Sequence, residues 1–124
     1  MRYMMFIKHT EDYRNKTVPA ALYEAMGKFV EAGFKSGVLK DTAGLQPTSK
    51  GTRIVLKRGA VTAVDGPFTE SKEIVGGYAL VETKTHQEAL DLATQFMELH
   101  RIHWPEFEGE SELRPIATGA PGSE

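Results

Sequence analysis

The stretch from Asp65 to Glu73 concentrates residue types that could carry out acid–base chemistry. It holds three carboxylates and one lysine around a Gly66-Pro67 break. β-branched residues precede it, and a run of aromatic and branched residues at 77–82 follows it, so the pattern predicts a loop between two strands. Loops at strand ends often display binding and catalytic side chains. Carboxyl groups this close disfavour one another's ionised forms, which is expected to raise the pKa of at least one of them.

Each polar residue of this loop has a candidate role and a structural alternative. Asp65 would be the general acid or base, and Glu70 would tune its pKa. Lys72 would bind an anionic substrate. The alternative for Asp65 is a turn carboxylate that accepts backbone N–H groups and takes no part in chemistry. The alternative for Glu70, Lys72 and Glu73 is a solvated group of ion pairs, each contributing about 0–1 kcal/mol.

Three further candidates lie in or at the end of predicted strands. His9 ends the first strand, where it would be a second catalytic group; the alternative is an exposed loop histidine. Arg53 and Tyr78 lie within strands, where inward-facing side chains would contact the substrate. The alternative for an aromatic residue such as Tyr78 is a core position.

A metal site is the third chemical possibility. His100 and His103 are spaced to share one helix face, and Glu106 or Asp65 would supply a carboxylate ligand. The alternative for His100, which lies on the apolar stripe of its helix, is a hydrogen-bonded core imidazole. Because these histidines do not form a His-Glu-x-x-His pattern, we expect no bound metal. The whole sequence also lacks a phosphate-binding loop and a dinucleotide-binding motif, so we expect no cofactor.

Composition narrows the class of protein. The chain has 124 residues, a formal net charge of −2 and no cysteine. Without a basic excess, nucleic acid is not an expected partner, and without cysteine there are no disulfides or thiolate nucleophiles. No apolar run approaches the ~20 residues of a membrane span, and the N-terminus does not resemble a signal peptide. We therefore expect a cytoplasmic protein with one domain over residues 1–118 and a flexible tail over 119–124.

Two helices and four or five main strands must position these side chains. The first helix is predicted to start with Thr17 as its cap and to stop at Gly37. Its apolar residues fall on one stripe at helical spacing: Leu22, Ala25, Met26, Phe29, Val30 and Gly33. The second starts with a capping box formed by Thr85 and Glu88 and ends by Pro105. Strands are predicted at residues 2–8, 53–57, 60–64, 75–83 and 111–117, with a short extended piece at 38–40. This order predicts an α+β protein with a ferredoxin-like split βαβ sandwich.

The first strand also predicts a partner, because both of its faces are apolar. Tyr3, Met5 and Ile7 alternate with Met4 and Phe6. The helices of such a sandwich cover one face of the sheet, and an apolar second face requires another cover. We infer a homodimer whose sheets face each other as a dimeric α/β-barrel.

Several blocks of the chain are similar to one known family. Residues 4–8, 44–51, 65–73, 76–78 and 112–116, which include the Asp-Gly-Pro-Phe block, resemble the DGPF group of YCII-related proteins. The similarity spans roughly residues 2–117. It implies a dimeric α+β barrel of ferredoxin-like subunits, but no settled activity, and it implies an association of some members with extracytoplasmic-function sigma factors. In YCII proteins proper, a histidine early in the first helix is thought to act together with an aspartate. The resemblance places Ala21 at the position of that histidine, so only the aspartate, Asp65, is present in this chain.

Two main functions follow from the sequence. The first is a small dimeric enzyme that acts on a small polar or anionic metabolite by acid–base chemistry, with Asp65 transferring the proton and His9 or His100 assisting. The second is a non-catalytic ligand-binding or regulatory protein, for example a partner of a sigma factor.

Overall fold

The first strand and helix follow directly from the apolar spacing of the chain. The computed structural model describes residues 1–10, 17–68 and 73–118, and in it strand β1 (Arg2–His9) is followed by helix α1 (Ala20–Ser36). Gly37 ends α1 in a left-handed conformation (φ 84°), as predicted. The prediction that Thr17 caps α1 is wrong. Pro19 holds the N-cap position without a side-chain cap, and its φ of −57° suits the entry into the first turn.

The described residues contain six strands, where the sequence predicted four or five main ones. The remaining elements are β2 (Leu39–Gly44), β3 (Thr52–Lys57), β4 (Ala60–Asp65), β5 (Ile74–Glu82), α2 (His86–His103) and β6 (Glu110–Pro115), with a 3₁₀ turn at Thr48–Lys50. Strand β2 continues beyond the short extended piece that was predicted, because its later residues pair with β5.

Four strands form an antiparallel sheet in the order β2-β5-β1-β6. With both helices on one face, this arrangement is compatible with a ferredoxin-like α+β fold. The core lies between the sheet and the helices: Tyr3 and Met5 of β1 and Val81 of β5 pack with Ala89 and Ala93 of α2. None of the described helices is long and apolar enough to cross a lipid bilayer.

Strands β3 and β4 form a separate two-stranded hairpin, which we call the arm (Thr52–Asp65). Its turn uses Arg58 (φ 51°) and Gly59 (φ 79°), both with positive φ, as a type I′ hairpin requires, so the predicted hairpin is confirmed. One face of the arm is apolar and exposed: Ile54, Leu56 and Val61 are 67%, 72% and 67% accessible.

The sheet face that points away from the helices has an apolar centre and a charged rim. Met4 pairs with Leu80 and Phe6 pairs with Tyr78 across β1 and β5, and all four are half-buried in the single chain. Lys8 donates to the Glu112 carboxylate, and Arg2 forms an ion pair with Glu82 at 2.9 Å on the same face. Within the described part of the single chain, the centre of this face is therefore apolar and remains partly exposed.

Candidate functional site

A cavity of about 400 Å³, which we call the cleft, separates α1 from the inner face of the sheet. Its floor includes Met5 and Ile7 of β1 and Ala79 of β5. The apolar stripe of α1 forms its roof, but within that helix Leu22 is the buried residue. The stripe was predicted from its 3.6-residue spacing; what the spacing did not predict is that α1 stands off the sheet.

The cleft is partly open to solvent, and its walls are mostly apolar. Mostly apolar walls offer water few hydrogen bonds. The volume and the lining are those of a pocket for a small organic molecule.

Aromatic rings form one continuous wall at one end of the cleft. Ring centroids lie 5.7 Å apart for Phe29–Phe96, 5.0 Å for Phe96–His100, 4.9 Å for His100–Phe107 and 5.2 Å for Trp104–Phe107. These tilted and edge contacts are favourable geometries for aromatic pairs. The wall joins α1 and α2 to the segment that follows α2, and it holds the His100 imidazole within it.

His100 is a buried, neutral imidazole with a fixed tautomer. The residue is 7% exposed, and its Nδ1 lies 3.0 Å from the Phe96 carbonyl oxygen. Because a carbonyl oxygen only accepts, Nδ1 carries the proton and Nε2 presents a lone pair. Burial lowers the pKa of His100, and the nearby His9 lowers it further, against the opposing hydrogen bond to Phe96. The expected core imidazole is confirmed, and it also borders the cleft.

His9 borders the same end of the cleft. It is 8% exposed, so the alternative of an exposed loop histidine is wrong. Its Nδ1 lies 2.7 Å from the Thr10 carbonyl oxygen, and its ring meets Phe107 edge-on at 6.1 Å. Gly76 makes room for it, since a Cβ at that position would overlap Nε2 of His9. Strand β1 and a glycine of β5 thus place this imidazole.

The two imidazoles also border a shallow polar depression on the protein surface. Glu73, Glu110 and Arg101 contribute to its lining. The pKa of Glu73 is raised, first by its hydrogen bond with the Glu110 carboxyl group and then by loss of hydration. A raised pKa was expected within the acidic loop, but its main cause is a carboxyl group on β6 rather than a neighbour in the loop. His9 and His100 therefore lie between an apolar cleft and an acidic surface.

The other candidate residues lie elsewhere. Asp65 is exposed at the end of β4, where it accepts a hydrogen bond from the Thr52 hydroxyl at 2.9 Å, and it does not line the cleft. The Arg53 guanidinium lies over the Phe68 ring, 3.8 Å from its centroid. Tyr78 lies on a strand of the cleft floor, but its side chain is on the outer face of the sheet, where its hydroxyl donates to Asp41 at 3.0 Å, which raises the pKa of Tyr78. Glu70 and Lys72 lie outside the described residues.

The Asp-Gly-Pro-Phe block has a clear structural role at the base of the arm. The Gly66 N–H donates to the Gly51 carbonyl at 2.9 Å, and a Cβ on Gly66 would overlap the Thr48 carbonyl oxygen. The Phe68 N–H donates to the Thr48 hydroxyl at 3.1 Å, and the Phe68 side chain is buried. The block therefore joins the arm to the 3₁₀ turn.

His100 and His103 do not converge with a carboxylate. Within residues 1–10, 17–68 and 73–118, no three histidine, aspartate or glutamate side chains are grouped as metal ligands. The ring of His100 is instead engaged by Phe96 and Phe107.

Two comparisons relate the chain to known proteins. The family model of the YCII-related domain matches residues 1–96. An uncharacterised protein of Rhizobium meliloti (strain 1021) is 34% identical over 95 residues, which cover 77% of this chain and 69% of that protein. The residues that the family model matches include β1, α1, the arm and the Asp-Gly-Pro-Phe block. The chain belongs to the family of proteins with a YCII-related domain.

Proposed function

We propose that this protein binds a small molecule in the cleft and acts on it by proton transfer, with His100 as the reacting side chain and His9 beside it as a ligand-binding side chain. The observation that supports this most directly is the placement of two buried imidazoles at the end of an apolar cavity of about 400 Å³. An apolar cavity with a few convergent polar groups is the usual form of a ligand site.

The protonation states suit general base catalysis. His100 is neutral because burial lowers its pKa, and Nε2 is the nitrogen that can accept a proton. A neutral imidazole beside an apolar ligand can remove a proton from an acidic C–H or O–H group. His100 would then return this proton to another atom of the ligand, while His9, on the same wall, holds the ligand in place. This makes an isomerase-type proton shift the chemistry we propose.

Acid–base chemistry at Asp65 remains a separate proposal. It requires a site formed by the arm base together with Glu70 and Lys72, or with a second copy of the chain. The exposed Asp65 carboxylate, bonded to Thr52, offers less support for this than the cleft offers for His9 and His100.

Thermal unfolding with a panel of small organic ligands tests both sites at once. A ligand at 100 times its dissociation constant adds about 2.7 kcal/mol to the stability. We expect a ligand that stabilises the wild type and Asp65→Asn but not Ala79→Phe, because the new ring fills the cleft from its floor. A ligand that still stabilises Ala79→Phe and is lost in Asp65→Asn would move the site to the arm base and contradict the cleft proposal.

The arm and the outer face of the sheet favour a role in protein association. We propose a homodimer in which the outer sheet faces pack together as an α/β-barrel, as in the DGPF group that the sequence resembles. An apolar centre within a charged rim is the usual anatomy of an interface. The exposed apolar face of the arm also supports the alternative function, a regulatory protein that docks on a partner such as a sigma factor.

A further inference from the structure

We propose that the cleft selects a flat, uncharged aromatic ligand that donates a hydrogen bond to Nε2 of His100. This inference rests on the proposed ligand site in the cleft and specifies the chemical class of its ligand. Three independent features of the cleft support it: its shape, the state of His100 and the charge of its lining.

The shape of the cleft fits a planar molecule. Its roof and floor are a helix and a sheet, and its end is the aromatic wall of Phe29, Phe96, Phe107 and Trp104 with the two imidazoles. A cavity of about 150 Å³ holds one benzene ring, so about 400 Å³ holds two or three fused rings. Such a ligand continues the edge and tilted contacts of the wall.

The state of His100 sets the polar contact. The Phe96 carbonyl oxygen occupies Nδ1–H, and the contacts of His100 with the described part of the chain leave Nε2 without a hydrogen bond. His100 lies at the border of the cleft and is only 7% exposed. A ligand in the cleft that carries an N–H or O–H group can donate to this acceptor at its border.

The charge of the lining excludes an anion. Among the described residues, no lysine or arginine lines the cleft. A carboxylate would lose its hydration, gain no cationic partner and face the lone pair of Nε2. The ligand class differs here from the small polar or anionic metabolite expected from the sequence.

A matched series of three compounds tests the ligand class. Indole has a ring N–H donor, benzofuran has the same shape without the donor, and indole-3-carboxylate adds a negative charge. Titration calorimetry of the wild type should give the order indole, benzofuran, indole-3-carboxylate, with indole roughly five- to tenfold tighter than benzofuran because of one hydrogen bond. Equal affinities for indole and benzofuran, or tightest binding of the carboxylate, would overturn the ligand class.

Two variants place the contact at His100. His100→Phe retains a ring in the wall and removes the acceptor, so indole and benzofuran should bind it equally. His103→Phe, on the same helix but not lining the cleft, should keep the preference for indole. A preference that survives in His100→Phe contradicts the assignment.

The same three compounds also distinguish a wrong ligand class from a wrong binding site. If the wild type binds these compounds and Ala79→Phe does not, the cleft is a ligand site whatever the order of affinities. If the wild type binds none of the three, or Ala79→Phe binds them equally well, both the ligand class and the proposed site are wrong.

Discussion

At the level of single residues, Gly66 and Gly76 are the positions where a missing side chain matters most. Gly66 allows the arm base to approach the Thr48 carbonyl, and Gly76 leaves room for the His9 imidazole. Gly66 lies within the acidic stretch that first suggested chemistry, and Gly76 lies shortly after it. Glycine in these places is explained by close approach of neighbouring groups, without any strained φ angle.

Gly66→Ala should lower the stability by about 1–3 kcal/mol, because its Cβ meets the backbone at Thr48, which must then shift. Gly27→Ala is the matched control. Gly27 lies inside α1, where an added methyl group would meet no neighbouring group of the described chain within 4 Å, so the same change should stabilise the protein by about 0.5–1 kcal/mol. Urea unfolding of the two variants measures both effects, and equal shifts would contradict the close approach at Gly66.

The pH dependence of stability should report the burial of His100. Burial lowers the pKa of His100 from its ordinary value of 6.5, so between that value and the folded pKa the unfolded chain binds more protons. This contribution is complete above about pH 6.5 and is lost as the pH falls towards the folded pKa.

His100→Asn should therefore make the loss of stability between about pH 6.5 and 4.5 smaller than in the wild type. The difference between the two proteins at about pH 8, where His100 is neutral in both states, provides the baseline. Urea unfolding across this range measures the slopes. The same slope in both proteins would mean that His100 titrates alike in the folded and unfolded chain.

At the level of elements, the helix signals that depend on a specific residue type, Thr85 at the start of α2 and Gly37 at the end of α1, were predicted correctly. In α2 the Glu88 N–H donates to the Thr85 hydroxyl at 3.1 Å, which confirms the predicted capping box. The Glu88 carboxylate reaches back to the Lys84 N–H at 3.1 Å, one residue before the cap. The start of α1 was placed wrongly because Pro19 takes the cap position with its backbone alone.

Thr85→Ala should cost about 1 kcal/mol, since α2 loses the acceptor at its first turn. Thr94→Ala is a suitable control on the same helix, because the Thr94 hydroxyl bonds back to the Leu90 carbonyl within the helix and alanine is the better helix former. We expect a lower thermal midpoint for the first variant and an unchanged or higher one for the second.

At the level of the whole molecule, the sequence predicted which residues face inward but not the space between the layers. Periodicity placed the stripe of α1 towards the sheet, and His100 on the apolar face of α2, and both predictions are confirmed. The periodicity of apolar residues contains no information on the distance between α1 and β5. The cleft depends on that separation, so a local pattern could not predict it.

The oligomeric state tests the association proposed for the arm and the sheet. If the apolar face of the arm is covered in a homodimer, Leu56→Asp should shift the protein from dimer to monomer in size-exclusion chromatography with light scattering. Leu90→Asp places the same charge on an exposed leucine of α2 and should leave the dimer intact. A wild type that is monomeric at high concentration would rule out the dimer.

The separation of α1 from the sheet should also affect how readily this helix opens. Leu22 is the buried residue of α1, whereas Ala89, Ala93 and His100 of α2 are all buried. A helix with so little apolar contact opens at a lower free energy than its neighbours. In the ligand-free protein, the amides of α1 should therefore exchange with deuterium sooner than those of α2. A molecule in the cleft would act as the missing part of the core and slow that exchange, whereas equal protection of both helices would mean that α1 needs no such support.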